Sequence, residues 1–461
     1  MSETLSRDLL DLSAGELAEA VAARKVSALE LADQTIARIE ARDGPINAVV
    51  VRDFDRAREA AKAVDGLVAK GERLPLMGVP MTVKESHDVA GLPSTWGAEI
   101  FKDYVAPADG AGVARLKAAG AVILGKTNVP PMLSDWQSNN PIYGRTVNPW
   151  DPTRSPGGSS GGSAAALAAG MIPLEFGSDI GGSIRVPAAF CGVYGHKPSY
   201  GLIPGRGHAP GGMTGGPLPL AVVGPLARSA ADLDLAVSVT AGPDAPDATA
   251  YRLELPAPRH ARLADHRVLI LGELPGVALD SEVAGALEGL ATKLEGLGAK
   301  VVRGADRLPD FAKAREVYMG LLSTAMNRRQ PGSASISAFD WLDLMDAQAA
   351  VRRQWGEVFA DVDVVLTPTF QTVAYPHTTE PPEKRVMVFD GAPHPYFDGL
   401  AYPSLALLAN LPATAFPAGF TKGGLPIGLQ AIGPYLEDRT PIAFAGLVAR
   451  EFGGFRAPPP L

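Results

Sequence analysis

Two runs of serine and glycine determine how this chain is interpreted: Pro156-Gly-Gly-Ser-Ser-Gly-Gly-Ser163 and Gly177-Ser-Asp-Ile-Gly-Gly-Ser-Ile-Arg185. Glycine adopts backbone angles that other residues avoid, and it leaves backbone N–H groups uncovered. Acyl-transfer chemistry needs a nucleophilic hydroxyl beside such N–H donors, because they stabilise the developing oxyanion. The two runs therefore indicate a catalytic site for acyl transfer.

Three other interpretations of these runs fit less well. A flexible Gly/Ser linker is unexpected because the first run leads directly into an alanine-rich segment, residues 163–170, that is predicted to be helical. A phosphate-binding loop would need patterns that are absent here. Gly157-Gly-Ser-Ser-Gly161 matches a nucleophile elbow, but the proline-broken segment before it is not the strand that an elbow requires.

The segments around the runs alternate between predicted strands and helices. Short apolar segments predict buried strands at 77–84, 121–124, 267–271, 300–302 and 363–368. Helical periodicity predicts helices at 53–69, 111–119 and 281–297 and two within 8–42. The two within 8–42 are preceded by the capping-box spacings Ser13-Ala-Gly-Glu16 and Ser27-Ala-Leu-Glu30. This order predicts an α/β fold with a central mixed, largely parallel β-sheet covered by helices on both faces. Leu425-Pro-Ile-Gly-Leu-Gln430 reads as a further strand, at an edge or bulge because of its proline.

No change in composition marks a linker, so we expect a single large domain over residues 1–461. It divides into a helical N-terminal region at about 8–70, a core at about 75–240 and a C-terminal α/β portion at about 265–455. Residues 305–400 would be a variable insert in the C-terminal portion. The glycine- and proline-rich segment 205–219 is predicted to be a mobile surface loop near the site.

The composition excludes several classes of function. The chain has a formal net charge of −8, and acidic proteins bind nucleic acid poorly. No apolar run reaches the roughly 20 residues of a membrane span. The N-terminus lacks a signal-peptide pattern, and a single cysteine fits a reducing compartment. We therefore expect a cytoplasmic protein with no nucleic-acid or membrane partner. The seven histidines show no zinc-ligand spacing, and we expect neither a metal nor another cofactor.

With further segments, the two runs resemble the amidase signature family. The matching segments are Gly78-Val-Pro-Met-Thr-Val-Lys84, Gly125-Lys-Thr-Asn128, Asn148-Pro-Trp150, Gly157–Pro198, Gly224-Pro-Leu-Ala-Arg228 and Gly424-Leu-Pro-Ile-Gly-Leu-Gln430. The likeness extends from about residue 10 to 450. The spacings of 24 residues from Ser159 to Ser183 and 75 from Lys84 to Ser159 match the family's Ser–cisSer–Lys triad. Glu85 stands where the family often has aspartate, which resembles a bacterial stand-alone amidase subgroup.

The resemblance implies a role for each residue of the signature. Ser183 would be the nucleophile, Lys84 the general base, and Ser159, after a cis peptide bond, the bridge between them. The oxyanion would be held by the backbone N–H groups of four residues, Ile180, Gly181, Gly182 and Ser183. Supporting hydrogen bonds are expected from Ser160, Asp179 and Arg185. A lysine is a useful base only when neutral, and Lys84 ends an apolar strand whose burial would lower the pKa of the lysine.

The resemblance implies an amidohydrolase that cleaves carboxylic amide C–N bonds through an acyl-enzyme, with esters and carbamates (urethanes) as secondary substrates. A hydrophobic or aryl acyl pocket is expected between the core and the loops at 130–143 and 205–219. Its candidate lining residues are Met132, Leu133, Trp136, Tyr143 and Met213; Trp96 is a further candidate. The expected partner is a small-molecule amide, and a homodimer is left open.

Alternatives to this interpretation remain open. One is a cysteine mechanism that uses Cys191, Glu85 and Lys84, although the apolar neighbours of Cys191 predict an inert buried thiol. Another is the A subunit of a glutamyl-tRNA amidotransferase, although segment 320–345 does not resemble that branch of the family. A third is a non-catalytic binding protein with the amidase fold.

Overall fold

A mixed β-sheet of 11 strands runs through the computed structural model, which describes residues 8–327, 332–333 and 335–461. Residues 328–331 and 334, part of the segment compared above with the amidotransferase branch, lie outside the described residues. The described residues form 15 strands, in chain order β1 (Val49–Arg52), β2 (Pro80–Lys84), β3 (Val122–Thr127), β4 (Asn139–Asn140), β5 (Gly144–Arg145), β6 (Leu174–Asp179), β7 (Tyr194–Lys197), β8 (Val222–Ala227), β9 (Arg267–Ile270), β10 (Lys300–Val302), β11 (Val364–Pro368), β12 (Val386–Phe389), β13 (Ala392–Pro395), β14 (Ala413–Phe420) and β15 (Pro426–Ile432). Two small sheets, β4–β5 and β12–β13, are separate, and the other 11 strands form the large sheet.

Twelve α-helices within the described ranges flank this sheet. They are α1 (Ala14–Ala22), α2 (Ala28–Arg42), α3 (Phe54–Ala69), α4 (Ala111–Ala118), α5 (Gly161–Ala168), α6 (Arg185–Cys191), α7 (Ala230–Thr240), α8 (Ser281–Gly296), α9 (Phe311–Asn327), α10 (Ala338–Asp361), α11 (Ala401–Leu408) and α12 (Arg439–Phe452). The predicted N-terminal helices begin where the serines indicated. Ser13 and Glu16 form a capping box at α1, and Ser27 accepts the Glu30 N–H at the start of α2.

The predicted fold class, α/β with a mixed sheet, is confirmed, but the parallel share of the sheet is smaller than predicted. The strand order is β1-β3-β2-β6-β8-β7-β14-β15-β11-β9-β10. Parallel pairing is limited to β3–β2–β6 and β11–β9–β10, and the other six neighbouring pairs are antiparallel. The pairs between these groups are antiparallel, and β14 and β15 are joined by a short turn, residues 421–425, which permits only antiparallel pairing.

The predicted position of β15 at a sheet edge is wrong. The strand lies inside the sheet between β14 and β11, and all seven of its residues are buried. Pro426 is tolerated because it is the first residue of the strand, where it pairs with the last residue of β14, Phe420. The register irregularity falls instead on β14, between Pro417 and Gly419.

Two parallel neighbours in this sheet position the candidate site. β2 and β6 pair directly, so their carboxyl ends meet at one edge of the sheet. β2 ends at Lys84, and β6 ends at Asp179, where the second serine–glycine run turns into α6. All residues of both strands and of α5 are buried, which encloses this edge in the protein core. The division of the chain into regions of 8–70, 75–240 and 265–455 stays a prediction.

None of the described helices combines the length and the hydropathy that crossing a lipid bilayer requires.

Candidate active site

Lys84 lies at the centre of the site with its side chain fully buried. Its Nζ atom is 2.6 Å from Ser159 Oγ and 2.9 Å from Ser178 Oγ. Burial lowers the pKa of Lys84 to about 7, although the negative charges of Asp179 and Glu175 act in the opposite direction. A large fraction of this amine is therefore uncharged near neutral pH, as a general base requires.

Ser159 is presented by a backbone that tolerates no side chain at the preceding position. The Gly158–Ser159 peptide bond is cis, as the resemblance implied. A Cβ atom at Gly158 would lie 2.3 Å from the Asp135 carbonyl oxygen, so only glycine fits there. The Ser138 hydroxyl accepts the Gly161 N–H at 3.0 Å and fixes the segment where α5 begins. Ser159 is thereby held against the lysine.

A backbone hydrogen bond connects Ser183 to this segment. The Ser160 N–H donates to the Ser183 carbonyl oxygen at 3.2 Å, which ties the two serine–glycine runs together. The Ser183 hydroxyl makes no hydrogen bond to any other part of the chain that the structure describes. Catalytic hydrogen bonds are often long without substrate and tighten when it binds, so this geometry is compatible with a nucleophile.

The turn after β6 is organised by a buried salt bridge. Arg185 Nε lies 3.0 Å from Asp179 Oδ2, and neither side chain is exposed. Burial alone would raise the pKa of Asp179, but the charge and hydrogen bonds of Arg185 lower it below its ordinary value. The same carboxylate accepts the N–H groups of Gly182 at 2.9 Å and Ile184 at 3.1 Å. Asp179 and Arg185 thus hold the backbone on both sides of Ser183.

The N–H group of Gly182 already has a hydrogen-bond acceptor in the structure. Its N–H group was expected to bind the oxyanion, but it donates to Asp179 Oδ1 because the aspartate side chain folds back over the turn. A donor that serves a buried carboxylate is not available to substrate in this conformation. The N–H groups of Ile180, Gly181 and Ser183 have no acceptor within the described ranges. Three of the four expected donors are therefore free, and the assignment of the oxyanion donors stays a prediction.

The candidate pocket residues differ in their exposure to solvent and in their hydrogen bonds. Trp136 is 6% exposed, and its indole N–H donates to the Gly181 carbonyl oxygen at 3.0 Å. The Tyr143 hydroxyl donates to Glu85 Oε1 at 3.2 Å. Met132 and Met213 are 38% and 37% exposed, and Leu133 is half-buried. That these side chains line an acyl pocket stays a prediction, as does the mobility of the 205–219 loop.

The cysteine mechanism has no geometric support. Cys191 is fully buried in α6, and its thiol donates to the Pro156 carbonyl oxygen. Burial raises the pKa of this thiol well above its ordinary value, which disfavours the thiolate nucleophile. Glu85 accepts the N–H groups of Thr95 and Trp96 and does not face the cysteine or the lysine through any hydrogen bond in the described residues.

Sequence reasoning missed three residues of this environment. Ser178 contacts Lys84 directly, and its place in the second run, one residue before Asp179, was an available signal. Glu175 lies fully buried on β6 and accepts hydrogen bonds from Thr82 and Thr127. Tyr318 on α9 donates to the Ile180 carbonyl oxygen at 2.8 Å, and no sequence signal connects it to a loop 138 residues away.

A family model described as Amidase matches residues 30–335 and 323–441. The chain belongs to the amidase signature family, whose members act on carbon–nitrogen bonds. The A subunit of a glutamyl-tRNA(Gln) amidotransferase from Anaeromyxobacter sp. (strain K) is 33% identical, over 99% of both chains. A structure described as a vestigial protein complex that reveals the evolutionary origins of an s-triazine catabolic enzyme has a TM-score of 0.83 at 30% identity, covering 96% of this chain and 99% of that one. A bacterial aryl acylamidase of the same family has a TM-score of 0.80 at 26% identity, covering 96% of each chain.

Proposed function

We propose that this chain is an amidohydrolase that cleaves carboxylic amide C–N bonds through an acyl-enzyme on Ser183. The contact between Lys84 Nζ and Ser159 Oγ, at 2.6 Å in a buried environment, carries the proposal. It joins an amine with a lowered pKa to the Ser159 hydroxyl, and the next residue, Ser160, hydrogen-bonds to the Ser183 backbone. A non-catalytic member of the family would have no need for this pair.

The proposed proton path has two steps. Ser183 Oγ attacks the substrate carbonyl carbon and gives its proton to Ser159 Oγ, while Ser159 gives its own proton to Lys84 Nζ. Because Lys84 also contacts Ser178 Oγ, its amine is oriented toward Ser159. The C–N bond then breaks, and the proton returns along the same path to the leaving amine. Water next attacks the acyl-enzyme with the same base, and the carboxylic acid leaves.

The oxyanion formed in this attack would be bound by backbone N–H groups. Ile180, Gly181 and Ser183 supply the free donors of the turn, and Gly182 stabilises the turn through Asp179. Loss of one oxyanion donor typically costs about 3–4 kcal/mol in transition-state stabilisation. The amide chemistry therefore depends on the conformation of a short turn as much as on the three side chains.

The substrate class is proposed to be hydrophobic or aryl amides, with esters and carbamates as secondary substrates. The similarity to a bacterial aryl acylamidase supports an aryl acyl or amine group. The candidate lining residues Met132, Leu133 and Met213 are apolar and at least partly exposed. These side chains would bind an apolar acyl group by burying its surface.

A second candidate function is favoured by one observation, the 33% identity over 99% of the chain to the A subunit of a glutamyl-tRNA(Gln) amidotransferase. In that case the amide cleaved would be a donor of ammonia for a partner protein, and the purified chain alone would be slow. The net charge of −8 argues against direct tRNA binding by this chain.

The experiment that separates the two functions is a substrate panel with the purified single chain. It comprises aryl anilides, aliphatic amides including glutamine, esters and carbamates, each measured for wild type and for Lys84→Ala, Ser159→Ala and Ser183→Ala. We expect amine release from anilides that the alanine variants lose. Release of ammonia from glutamine with no turnover of the other substrates would favour the amidotransferase role. Activity that appears only after a partner protein is added would favour it as well.

A further inference from the structure

Each of the three backbone carbonyl groups between Asp179 and Ser183 accepts a hydrogen bond from a residue outside this turn. The Ile180 carbonyl oxygen accepts from the Tyr318 hydroxyl at 2.8 Å, and the Gly181 carbonyl oxygen accepts from the Trp136 indole N–H at 3.0 Å. The Gly182 carbonyl oxygen accepts from the Val186 N–H at 2.7 Å. No carbonyl of this turn is therefore free to rotate.

A held carbonyl fixes the direction of the next N–H group. The two belong to one planar peptide unit, and in a trans unit the N–H points away from the C=O. The peptide bonds of this turn are trans. The Tyr318 hydrogen bond therefore directs the Gly181 N–H away from α9. The Val186 hydrogen bond directs the Ser183 N–H away from α6 in the same manner.

We propose that Tyr318 is a positioning residue that orients an oxyanion-binding N–H group of this turn, that of Gly181, and that Trp136 holds the next peptide unit of the turn in place. This inference rests on the proposed acyl-enzyme function. Tyr318 fixes the direction of the Gly181 N–H through the Ile180 carbonyl. Trp136 fixes the direction of the Gly182 N–H through the Gly181 carbonyl, and the Gly182 N–H donates to Asp179. Neither side chain needs to touch the substrate.

The surroundings of both side chains are suited to this role. Tyr318 and Trp136 belong to one buried apolar cluster, so their hydroxyl and indole groups are screened from water. The Trp136 backbone N–H donates to the Tyr396 hydroxyl at 3.2 Å, and its ring packs edge-on against Phe370. Only a small residue fits in the turn itself, because a Cβ atom at Gly182 would lie 2.8 Å from Val186 Cγ2.

The proposal also gives a role to the insert. Tyr318 lies on α9, within the segment 305–400 that sequence reasoning treats as a variable addition. If α9 orients the oxyanion donors, this insert is part of the catalytic machinery. Substitutions that shift α9 would then change the turnover number while substrate affinity is retained.

The test compares Tyr318→Phe with a matched control, Tyr402→Phe. Tyr402 is also fully buried, and its hydroxyl donates to the Gly272 carbonyl oxygen at 2.7 Å, outside the turn. Both variants are measured for the second-order rate of labelling by an alkyl fluorophosphonate, whose phosphoryl oxygen would occupy the oxyanion site. Where wild type hydrolyses an anilide, kcat and KM are measured as well.

We expect Tyr318→Phe to slow labelling and kcat by about 10-fold, less than the about 10²–10³-fold that removal of a donor itself costs. KM should stay within twofold, and Tyr402→Phe should match wild type. If Tyr318→Phe does not fold, Trp136→Phe is used in its place; it frees the neighbouring peptide unit, so it should loosen the same turn and slow labelling and kcat several-fold. Equal labelling rates for wild type and variant would overturn the positioning role and leave the proposed function intact. Failure of wild type to be labelled at Ser183 would overturn the proposed function and, with it, this role.

Discussion

Asp179 and Arg185 form a salt bridge of 3.0 Å in which both side chains are completely removed from solvent. The pair closes the turn that carries Ser183, because the carboxylate also accepts the Gly182 and Ile184 N–H groups. Arg185 extends further and donates to Gln430 Oε1 at 2.7 Å, which links the turn to β15. One ion pair thus connects the candidate nucleophile to the middle of the sheet.

Replacing Arg185 should destabilise the protein strongly. Arg185→Met leaves the Asp179 carboxylate buried without its counter-charge, and breaking a buried pair typically costs about 3–5 kcal/mol. We expect a loss of that size in the free energy of unfolding, measured by urea denaturation. The matched control is Arg73→Met, since the Arg73–Glu19 pair is 65% exposed on both sides. Similar stabilities for the two variants would contradict this prediction.

The rate of amide hydrolysis should rise with pH through the pKa of Lys84. Burial lowers this pKa to about 7, and only the uncharged amine accepts a proton. Below about pH 7, kcat/KM should therefore fall about tenfold per pH unit, and above it the profile should level off. A pH profile between 5 and 9 with an anilide checks this. A rate that still rises about tenfold per pH unit up to pH 9 would contradict this and show that the amine keeps the ordinary pKa of a solvated lysine.

Glu175 should influence the same inflection. Its buried carboxylate raises the pKa of Lys84 through its charge, so Glu175→Gln should move the inflection to lower pH. The control is Glu19→Gln, whose side chain is 65% exposed. Burial raises the pKa of Glu175 itself to about 7, so an inflection that stays in place would contradict the prediction and mean that this group is uncharged over the range measured. An inflection that moves to higher pH would also contradict the prediction.

Ser178 should support the general base without being essential. Ser178→Ala removes the hydroxyl 2.9 Å from Lys84 Nζ and leaves the amine in contact with Ser159. We expect kcat to fall about 10-fold with KM within twofold, in line with the loss of one buried hydrogen bond. Ser404→Ala is a suitable control, because the hydroxyl of this buried serine donates to the Ala401 carbonyl oxygen within its own helix. Identical kcat values in the two variants would show that Ser178 does not support the general base.

Cys191 should be dispensable for catalysis. Its thiol is fully buried, and burial raises its pKa, so it should resist alkylation in the folded protein. We expect Cys191→Ala to retain kcat/KM within a few-fold and iodoacetamide to leave wild-type activity unchanged. Rapid inactivation by iodoacetamide that Cys191→Ala abolishes would restore the cysteine mechanism.

Much of the fold was predictable from the sequence because local patterns specify it. Apolar β-branched segments predicted β2, β3, β9 and β10, and serine caps predicted α1 and α2. The pairing directions were not predictable, since antiparallel neighbours such as β6 and β8 are far apart in the chain. The prediction of an edge position from Pro426 was wrong because a proline at the first position of a strand costs no ladder hydrogen bond.

The site was predictable where its residues share a local motif. The spacing of Lys84, Ser159 and Ser183 indicated the site, and the first two of these side chains are in contact. The engagement of the Gly182 N–H depends on how the Asp179 side chain folds back, which a motif does not encode. The contact of Tyr318 with the turn arises from packing of α9 against the core, and no local pattern specifies such packing.

The central claim is that Ser183 is the nucleophile activated through Ser159 by Lys84. The most direct measurement is to label the purified protein with a fluorophosphonate and identify the modified residue by peptide mapping with mass spectrometry. We predict a single adduct on Ser183, absent in Ser183→Ala and formed far more slowly in Lys84→Ala. An adduct on Ser160 or elsewhere, or labelling that persists in Ser183→Ala, would contradict the account.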